Sequence, residues 1–163
     1  MMTKRWMYHV QITPDQVHDG DTIEDVSVVL CGYDWKGEEQ EIWPNLYLTE
    51  DGLVCRFSLR LYGIDAPEMH PHHVTSEGVV RTQRSLNKEK KLAEKSRQGL
   101  IDYLAKYNNT IYIQDAFDGK YAGRFVSAIF VKASNGTLLS VADYMCCKGF
   151  ARPYFGGKKE SWA

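Results

Sequence analysis

The sequence predicts an α+β domain, and three observations support this prediction. Apolar and polar residues alternate in the first third of the chain and again after residue 109, which is typical of half-buried strands. Between these two parts, apolar residues recur every three or four positions, which is the period of an amphipathic helix. A length of 163 residues with 44% hydrophobic and 25% charged residues fits a single domain, 1–163, and excludes collagen-like and wholly disordered chains.

The first 62 residues contain three predicted strands and an insert. The first two strands are residues 6–13 and 22–31, separated by turn residues. An acidic insert follows at about 32–52, and its tryptophans favour a packed hairpin over a disordered linker. The third strand, residues 55–62, alternates most clearly, so we expect Arg60 to project away from its apolar face.

The second half of the chain predicts a long helix, two strands and a short helix. The long helix covers about 83–107, the strands cover 109–115 and 124–132, and the short helix covers about 141–148, capped by Ser140. Five strands with a helix between the third and the fourth give the element order of an OB-fold. We therefore predict a five-stranded OB-fold β-barrel with an amphipathic helix between strands 3 and 4 and a short C-terminal helix.

The formal net charge of −1 conceals a separation of charge along the chain. Residues 15–51 contain eleven acidic residues and one lysine, whereas residues 81–163 contain fifteen basic and seven acidic residues. The polar face of the long helix belongs to this basic half and carries Lys88, Lys90, Lys91, Lys95 and Arg97. A basic face of this kind attracts a nucleic-acid backbone, and an ordinary solvated face is the alternative.

The apolar runs of the sequence bear on membranes and export. None approaches the roughly 18 residues of a membrane span, so we expect no membrane partner. The first residues also lack an apolar stretch of signal-peptide length, which leads us to expect an intracellular protein, encoded by a cell, a virus or a mobile element. A monomer is the favoured state.

Three short charged segments are candidates for a functional site, and they are residues 19–22, 60–68 and 120–124. The first, Asp-Gly-Asp-Thr, directs two carboxylates from one tight corner, which suits a hard cation, and an Asx turn is the alternative. The second places two acids and an arginine around the end of a strand, where a surface ion-pair cluster is the alternative. The third places basic residues at the start of a strand.

Together these segments resemble the staphylococcal nuclease (thermonuclease-like) family over about residues 17–155. The strongest part is residues 60–68, Arg-Leu-Tyr-Gly-Ile-Asp-Ala-Pro-Glu, which is close to a family signature. The resemblance implies an OB-fold, calcium-dependent phosphodiesterase that hydrolyses DNA and RNA with little sequence specificity and leaves 3′-phosphate ends.

The resemblance also implies a Ca²⁺ site. Asp21 and Asp65 match the family's calcium carboxylates, and the backbone carbonyl of Ala66 matches a further ligand. Asp19 matches an acid that lies just outside the ligands. Alanine replaces the threonine of the best-known member at position 66, but the carbonyl is kept.

Three residues match the catalytic groups of the family. Arg60 and Arg124 match the pair that binds the scissile phosphate, and Glu68 matches the proposed general base. The chemistry supports these roles, because a phosphodiester carries a negative charge that repels an attacking hydroxide. Planar guanidiniums offset that charge at any working pH, and a carboxylate within reach of a water can accept its proton.

Candidate substrate-binding residues follow from the same resemblance. Lys120, Tyr121 and Tyr154 are expected to contact the substrate, the tyrosines by stacking on bases, with packing into the core as the alternative. Ala122 adds one residue to the family's Tyr-Gly-Arg, which moves Arg124 one position along the chain.

Two other functions stay open at this point. The same face without catalysis would make an OB-fold module that binds single-stranded nucleic acid or a protein. A cluster of His70, His72 and His73 favours a phosphodiesterase that uses another divalent ion, although no cysteine or acid stands at conventional zinc spacing.

Overall fold

The computed structural model describes residues 7–118 and 123–162, which form an α+β protein with two helices and eleven strands in those ranges. The strands are β1 (Met7–Gln11), β2 (Val17–Asp19), β3 (Thr22–Cys31), β4 (Gln40–Trp43), β5 (Leu46–Thr49), β6 (Gly52–Leu61), β7 (Ile64–Asp65), β8 (Thr110–Asp118), β9 (Arg124–Lys132), β10 (Leu138–Ser140) and β11 (Arg152–Pro153). The helices are α1 (Gln83–Ala105) and α2 (Val141–Cys147).

Nine of these strands form one mixed sheet. Its main path runs β1–β8–β9–β6–β3–β2, β10 pairs with β9, and the β4–β5 hairpin joins β6 through β5. The described pairs of this sheet are antiparallel except β6 and β9, which run parallel. The parallel pair brings the start of β9 beside the last residues of β6, with Ser58 opposite Arg124. The two remaining strands, β7 and β11, pair separately.

The core lies between the sheet and the two helices. In β6, Phe57, Leu59 and Leu61 are buried and alternate with partly exposed polar residues. From α1, Leu100 and Leu104 complete the same apolar cluster. This alternation sends the side chain of Arg60 to the opposite side of the strand from the core, as the sequence predicts.

The long elements agree with the sequence predictions, and the strand count does not. The five predicted strands are the five longest among the described residues, and the insert forms the β4–β5 hairpin. The prediction of five strands is wrong, because the further strands have only two to four residues and carry little periodicity. Pairing among the described residues leaves β1 and β2 at the ends of the path and closes no barrel.

Helix α1 packs against the corner that joins β2 and β3. The guanidinium Nε of Arg97 donates to the carbonyl of Val17 at 2.7 Å, and buried Ser96 lies against Gly20. Arg97 differs in this respect from the lysines of the polar face, because its partly buried guanidinium donates to the β2 backbone. Lys88 and Lys95 on that face are exposed.

The ends of the helices follow the local sequence. The hydroxyl of Thr82 accepts from the backbone N–H of Ser85 at the start of α1, and Ser140 accepts from Asp143 at the start of α2, as predicted. Neither described helix has the length and apolar character that crossing a bilayer requires.

Candidate active site

The candidate site lies where the start of β3, the end of β6 and the start of β9 meet. Thr22 is paired with Arg60 across β3 and β6, and the carbonyl of Asp21 accepts from the N–H of Leu61 at 2.9 Å. Because Arg124 stands opposite Ser58 on the other side of β6, residues from three distant segments come to one edge of the sheet.

The Asp21 carboxylate is buried and fully engaged. Its Oδ1 accepts from the Thr22 hydroxyl at 2.9 Å, and its Oδ2 accepts from the Ala66 N–H at 2.9 Å. The same Oδ2 lies 2.6 Å from Nη1 of Arg60. Only 5% of this side chain is exposed, so its negative charge is stabilised mainly by these protein donors.

The Arg60 guanidinium joins the two predicted calcium carboxylates. Nη1 pairs with Asp21, while Nη2 lies 3.8 Å from Oδ1 of Asp65 and donates to the carbonyl of Ile64 at 3.1 Å. The planar fork thus spans the end of β6 and the short strand β7. The two carboxylates consequently face one positive group.

The Asp65 carboxylate has three further partners from the last part of the chain. Nη2 of Arg152 lies 3.4 Å from Oδ2, and Nζ of Lys159 lies 3.1 Å from Oδ1. The indole N–H of Trp162 donates to Oδ2 at 3.0 Å. The sequence does not predict these contacts, because the three residues belong to a segment without strand or helix periodicity.

A polar pocket of about 280 Å³ adjoins this group of carboxylates. Asp19, Thr22, Glu68 and Arg124 are among its lining residues. Nη2 of Arg124 donates to the Thr22 hydroxyl at 3.3 Å, whereas its buried Nε finds no acceptor among the described residues. A buried donor without an acceptor is costly, and Arg124 is therefore an unusual side chain among the described residues of this site.

Asp19 lies at the base of this pocket and has a raised pKa. Burial is the largest cause, and the charges of Asp21 and Glu68 act in the same direction. The N–H of Met69, which donates to Oδ1 at 2.9 Å, and the nearby His18 oppose the rise in pKa. Neighbouring carboxylates repel one another when ionised, so a positive charge placed near them is stabilised.

Glu68 stands between this pocket and a larger one of about 700 Å³. Its backbone N–H donates to the buried Glu89 carboxylate, which lies 3.5 Å from Nη1 of Arg81. Burial raises the pKa of Glu89, and Arg81 opposes the rise. The Glu68 carboxylate itself is 37% exposed and lies 3.6 Å from Nε2 of His72.

The donors around Asp21 and Asp65 fit a hard divalent cation by their chemistry, because they are carboxylate oxygens held at adjacent strand ends. In the described arrangement these oxygens face the side-chain cations Arg60, Arg152 and Lys159 instead. Within residues 7–118 and 123–162, no three His, Cys, Asp or Glu side chains are grouped so that they could hold a metal ion.

The structure brings most of the predicted site residues together. Asp19, Asp21, Arg60, Asp65, Ala66, Glu68 and Arg124 lie around the same sheet edge. Tyr154 lies next to them, with its hydroxyl donating to the Gly157 carbonyl at 2.8 Å and Nζ of Lys159 5.2 Å from its ring centroid. Lys120 and Tyr121 lie outside the described residues. The three histidines are exposed, and His70 lies 6.0 Å from His18 between ring centroids.

One further residue of the site carries a signal in the sequence. Glu89 lies three residues after Leu86 and four before Ala93, so the helical period places its carboxylate on the apolar stripe of α1. A carboxylate on such a stripe needs a partner, which in this case is Arg81 together with the Glu68 backbone. The spacing alone would have predicted a buried acid there.

A scan against protein-family models found no match to this chain, and a search of curated proteins found none either. The function proposed below therefore rests on the geometry of the site and on the resemblance of its motifs.

Proposed function

We propose that this protein is a calcium-dependent nuclease on an OB-fold, hydrolysing phosphodiester bonds of DNA, RNA or both with little sequence specificity and leaving 3′-phosphate ends. The fold proposal is supported by the order of the five longest strands and α1. The activity proposal is supported by the arrangement of charged residues at the edge of the sheet.

One observation carries the proposal, namely a continuous series of contacts among residues that are far apart in sequence. Arg124 contacts Thr22, Thr22 contacts Asp21, and Asp21 contacts Arg60. Arg60 in turn contacts Asp65, and Glu68 lines the same pocket as Arg124. A merely structural ion-pair cluster does not require a second arginine with an unused buried donor.

The two arginines are suited to binding a phosphodiester. Arg124 lines the polar pocket from β9, so a phosphate there would meet this guanidinium directly. Arg60 lies nearby on β6 with its guanidinium on Asp21, Asp65 and the Ile64 carbonyl, and it would have to turn from these partners to bind the same phosphate. Their positive charge would stabilise the added negative charge of the transition state. The side chain of Arg60 is only 16% exposed, which limits the screening of that charge by water.

Glu68 is suited to accept the proton of an attacking water. Its carboxylate is partly exposed and lines both pockets, while its backbone is held by Glu89. Asp21 and Asp65, with the carbonyl of Ala66, would hold Ca²⁺, which supplies Lewis-acid stabilisation to the phosphate oxygens when bound. The general-base assistance proposed for Glu68 is typically worth a factor of about 10² to 10⁴ in rate.

The test is digestion of single-stranded DNA, duplex DNA and RNA, with Ca²⁺ or with chelator. We expect calcium-dependent cleavage, and Glu68→Gln should lower turnover by about 10² or more while nucleic acid still binds. Glu94→Gln is the matched control, because Glu94 is an exposed acid on α1, and it should retain activity.

Two outcomes would overturn parts of the proposal. Near-normal turnover of the Glu68→Gln variant would remove Glu68 from the mechanism. Binding of nucleic acid without cleavage in any metal would favour the silent OB-fold module, an alternative supported by the engagement of both Asp65 oxygens by donors of the chain itself.

A further inference from the structure

Residues 158–162 form a short segment, here called the strap, that covers Asp65. Two strap residues touch the carboxylate, Lys159 at 3.1 Å from Oδ1 and Trp162 at 3.0 Å from Oδ2. Arg152 donates to the same carboxylate, and the Arg60 guanidinium lies 3.8 Å away as an ion pair. A divalent cation that binds Asp65 therefore competes with three side-chain cations for the same charge.

The strap is the most readily displaced of these partners. Arg60 is only 16% exposed and also binds Asp21 and the Ile64 carbonyl, so it is fixed at the end of β6. Lys159, in contrast, is 42% exposed. Its release from Asp65 would expose a side chain that already reaches water, at small cost.

The backbone before the strap has the features of a hinge. The chain is attached to the protein as far as Phe155, whose ring packs on Tyr62 at 5.8 Å between centroids. Two glycines follow, Gly156 at a φ of 104° and Gly157 at a φ of 89°, and no atom lies within 4 Å of a Cβ built at either one. A rotation at this pair would move the strap without disturbing the core, at the loss of the hydrogen bonds from the Tyr154 hydroxyl to the Gly157 carbonyl and from Arg152 to the Glu160 carbonyl.

The strap also forms one wall of the larger pocket. Lys158 pairs with Glu77 of the loop that follows Glu68, so the strap and the loop face each other across a cavity of about 700 Å³. Asp65 and Glu68 both line this cavity. Displacement of the strap would consequently free the carboxylate and widen the access to Glu68.

We infer that Lys159 and Trp162 set the cation affinity of the site by occupying Asp65 in the cation-free protein, and that a divalent cation and the strap exclude one another there. This inference rests on the proposed function, which places the cation at Asp21 and Asp65. The Lys159 ammonium neutralises the buried carboxylate when no cation is bound, and the cation takes over that role. Binding is then weakened by the fraction of molecules in which the strap is closed.

The experiment measures calcium binding by calorimetry for the wild-type protein and for a Lys159→Ala, Trp162→Phe double variant. Lys36→Ala is the control, because Lys36 is an exposed lysine that pairs with Asp34 in the acidic insert. We expect the double variant to bind Ca²⁺ about tenfold more tightly than wild type, as for a site closed in about nine molecules of ten, and the control to match wild type.

A second measurement uses the unaltered protein. A lysine-specific protease should cut after Lys158 and Lys159 faster in Ca²⁺ than in chelator, because the cation releases the strap, and mass spectrometry detects the cut. Equal calcium affinities and a calcium-independent cutting rate, with calcium-dependent cleavage of DNA intact, would overturn this inference and leave the proposed function standing. Failure of every protein, including the double variant, to bind Ca²⁺ would overturn both the inference and the calcium part of the proposed function.

Discussion

Arg60 neutralises two buried carboxylates with one guanidinium. Its Nη1 lies 2.6 Å from Asp21, and its Nη2 lies 3.8 Å from Asp65. A lysine carries the same charge but presents one compact ammonium. It lacks the planar fork with which the guanidinium contacts both acids at once. The shape of the group therefore matters at this position as well as its charge.

Replacing Arg60 with lysine should lower turnover at least about tenfold, because bidentate phosphate binding is lost while the charge is kept. Arg56→Lys is the matched control on the same strand, since Arg56 is partly exposed and pairs with Glu39, just before β4. Turnover of both variants with Ca²⁺ and saturating DNA makes the comparison, and denaturant unfolding checks that both are folded. Wild-type turnover of the Arg60→Lys protein would exclude bidentate phosphate recognition.

The site residues differ in how far the sequence could predict their neighbours. Arg60 and Asp65 are five residues apart around a strand end, so their proximity follows from local geometry. The contacts of Asp65 with Lys159 and Trp162 join segments separated by most of the chain. No period or spacing encodes such a contact, because it depends on how β11 pairs with β7.

At the scale of elements, α1 is the support of the candidate site. Ser96 and Arg97 contact the corner before β3, and Glu89 holds the backbone of Glu68. The glycine of the Asp-Gly-Asp corner is therefore required by packing, because a Cβ at Gly20 would lie 1.9 Å from the Ser96 hydroxyl.

Gly20→Ala should destabilise the protein by about 1 to 3 kcal/mol, because overpacking forces Ser96 to move and to lose its 2.7 Å hydrogen bond to the Phe150 carbonyl. Ser96→Ala removes the colliding oxygen, so the double variant should lose less stability than the two single changes predict together. Urea unfolding of the four proteins measures this coupling. If the stability losses of the two single variants add up to that of the double variant, Gly20 and Ser96 are not coupled through packing.

The contact between α1 and α2 should give the protein an alkaline limit. Tyr103 stacks on Tyr144 with centroids 3.6 Å apart, and burial, with the neighbouring Tyr107, raises the pKa of Tyr103 to about 12. A raised pKa means that the folded state disfavours the phenolate. The protonated phenol of Tyr103 therefore contributes to stability fully below pH 10, and this contribution is lost as the pH rises through about 12.

We therefore expect the unfolding free energy of wild type to fall between pH 10 and 12 more steeply than that of Tyr103→Phe, by about 2 to 3 kcal/mol over the interval. The Phe variant keeps the stacked ring, so the difference between the two pH profiles isolates the phenol. Parallel profiles would mean that Tyr103 ionises alike in the folded and unfolded chains.

The existence and type of the long elements were predictable, and their ends less so. β3 and β9 have the predicted bounds, whereas β6 begins three residues before its predicted start and β8 ends three residues after its predicted end. β7 and β11 have two residues each and are strands only because they meet. Helix α1 was predictable in its period, but not in the hydrogen bond of Arg97, whose partner lies in β2.

At the scale of the whole molecule, the acidic and basic parts of the sequence are exposed on different elements. The hairpin β4–β5 and its flanks expose much of the acidic charge, and one face of α1 exposes four lysines, Lys88, Lys90, Lys91 and Lys95. A protein with nearly zero net charge can in this way still present a basic surface to a polyanion.

Replacing these four lysines with alanine should weaken binding of duplex DNA and flatten its salt dependence, by about 0.9 in the logarithmic slope for each phosphate that the protein no longer neutralises. Sequence preference should not change, since phosphate binding carries no sequence information. Binding is measured in chelator at several salt concentrations. A control replaces exposed lysines elsewhere, Lys36, Lys106 and Lys148. Equal salt slopes for the two variants would show that the α1 face is an ordinary solvated surface.

The parallel pairing of β6 with β9 also has a consequence for how the protein folds. Ser58 cannot pair with Arg124 until the stretch between them, which contains α1 and β8, has been placed, and such non-local contacts form slowly. Asp19 at the end of β2, Asp21 in the next corner and Asp65 at the end of β7 precede α1 in the chain, whereas Arg124 begins the strand that follows β8. During synthesis the carboxylates are therefore made first, and the second arginine reaches them only when most of the domain has folded around it.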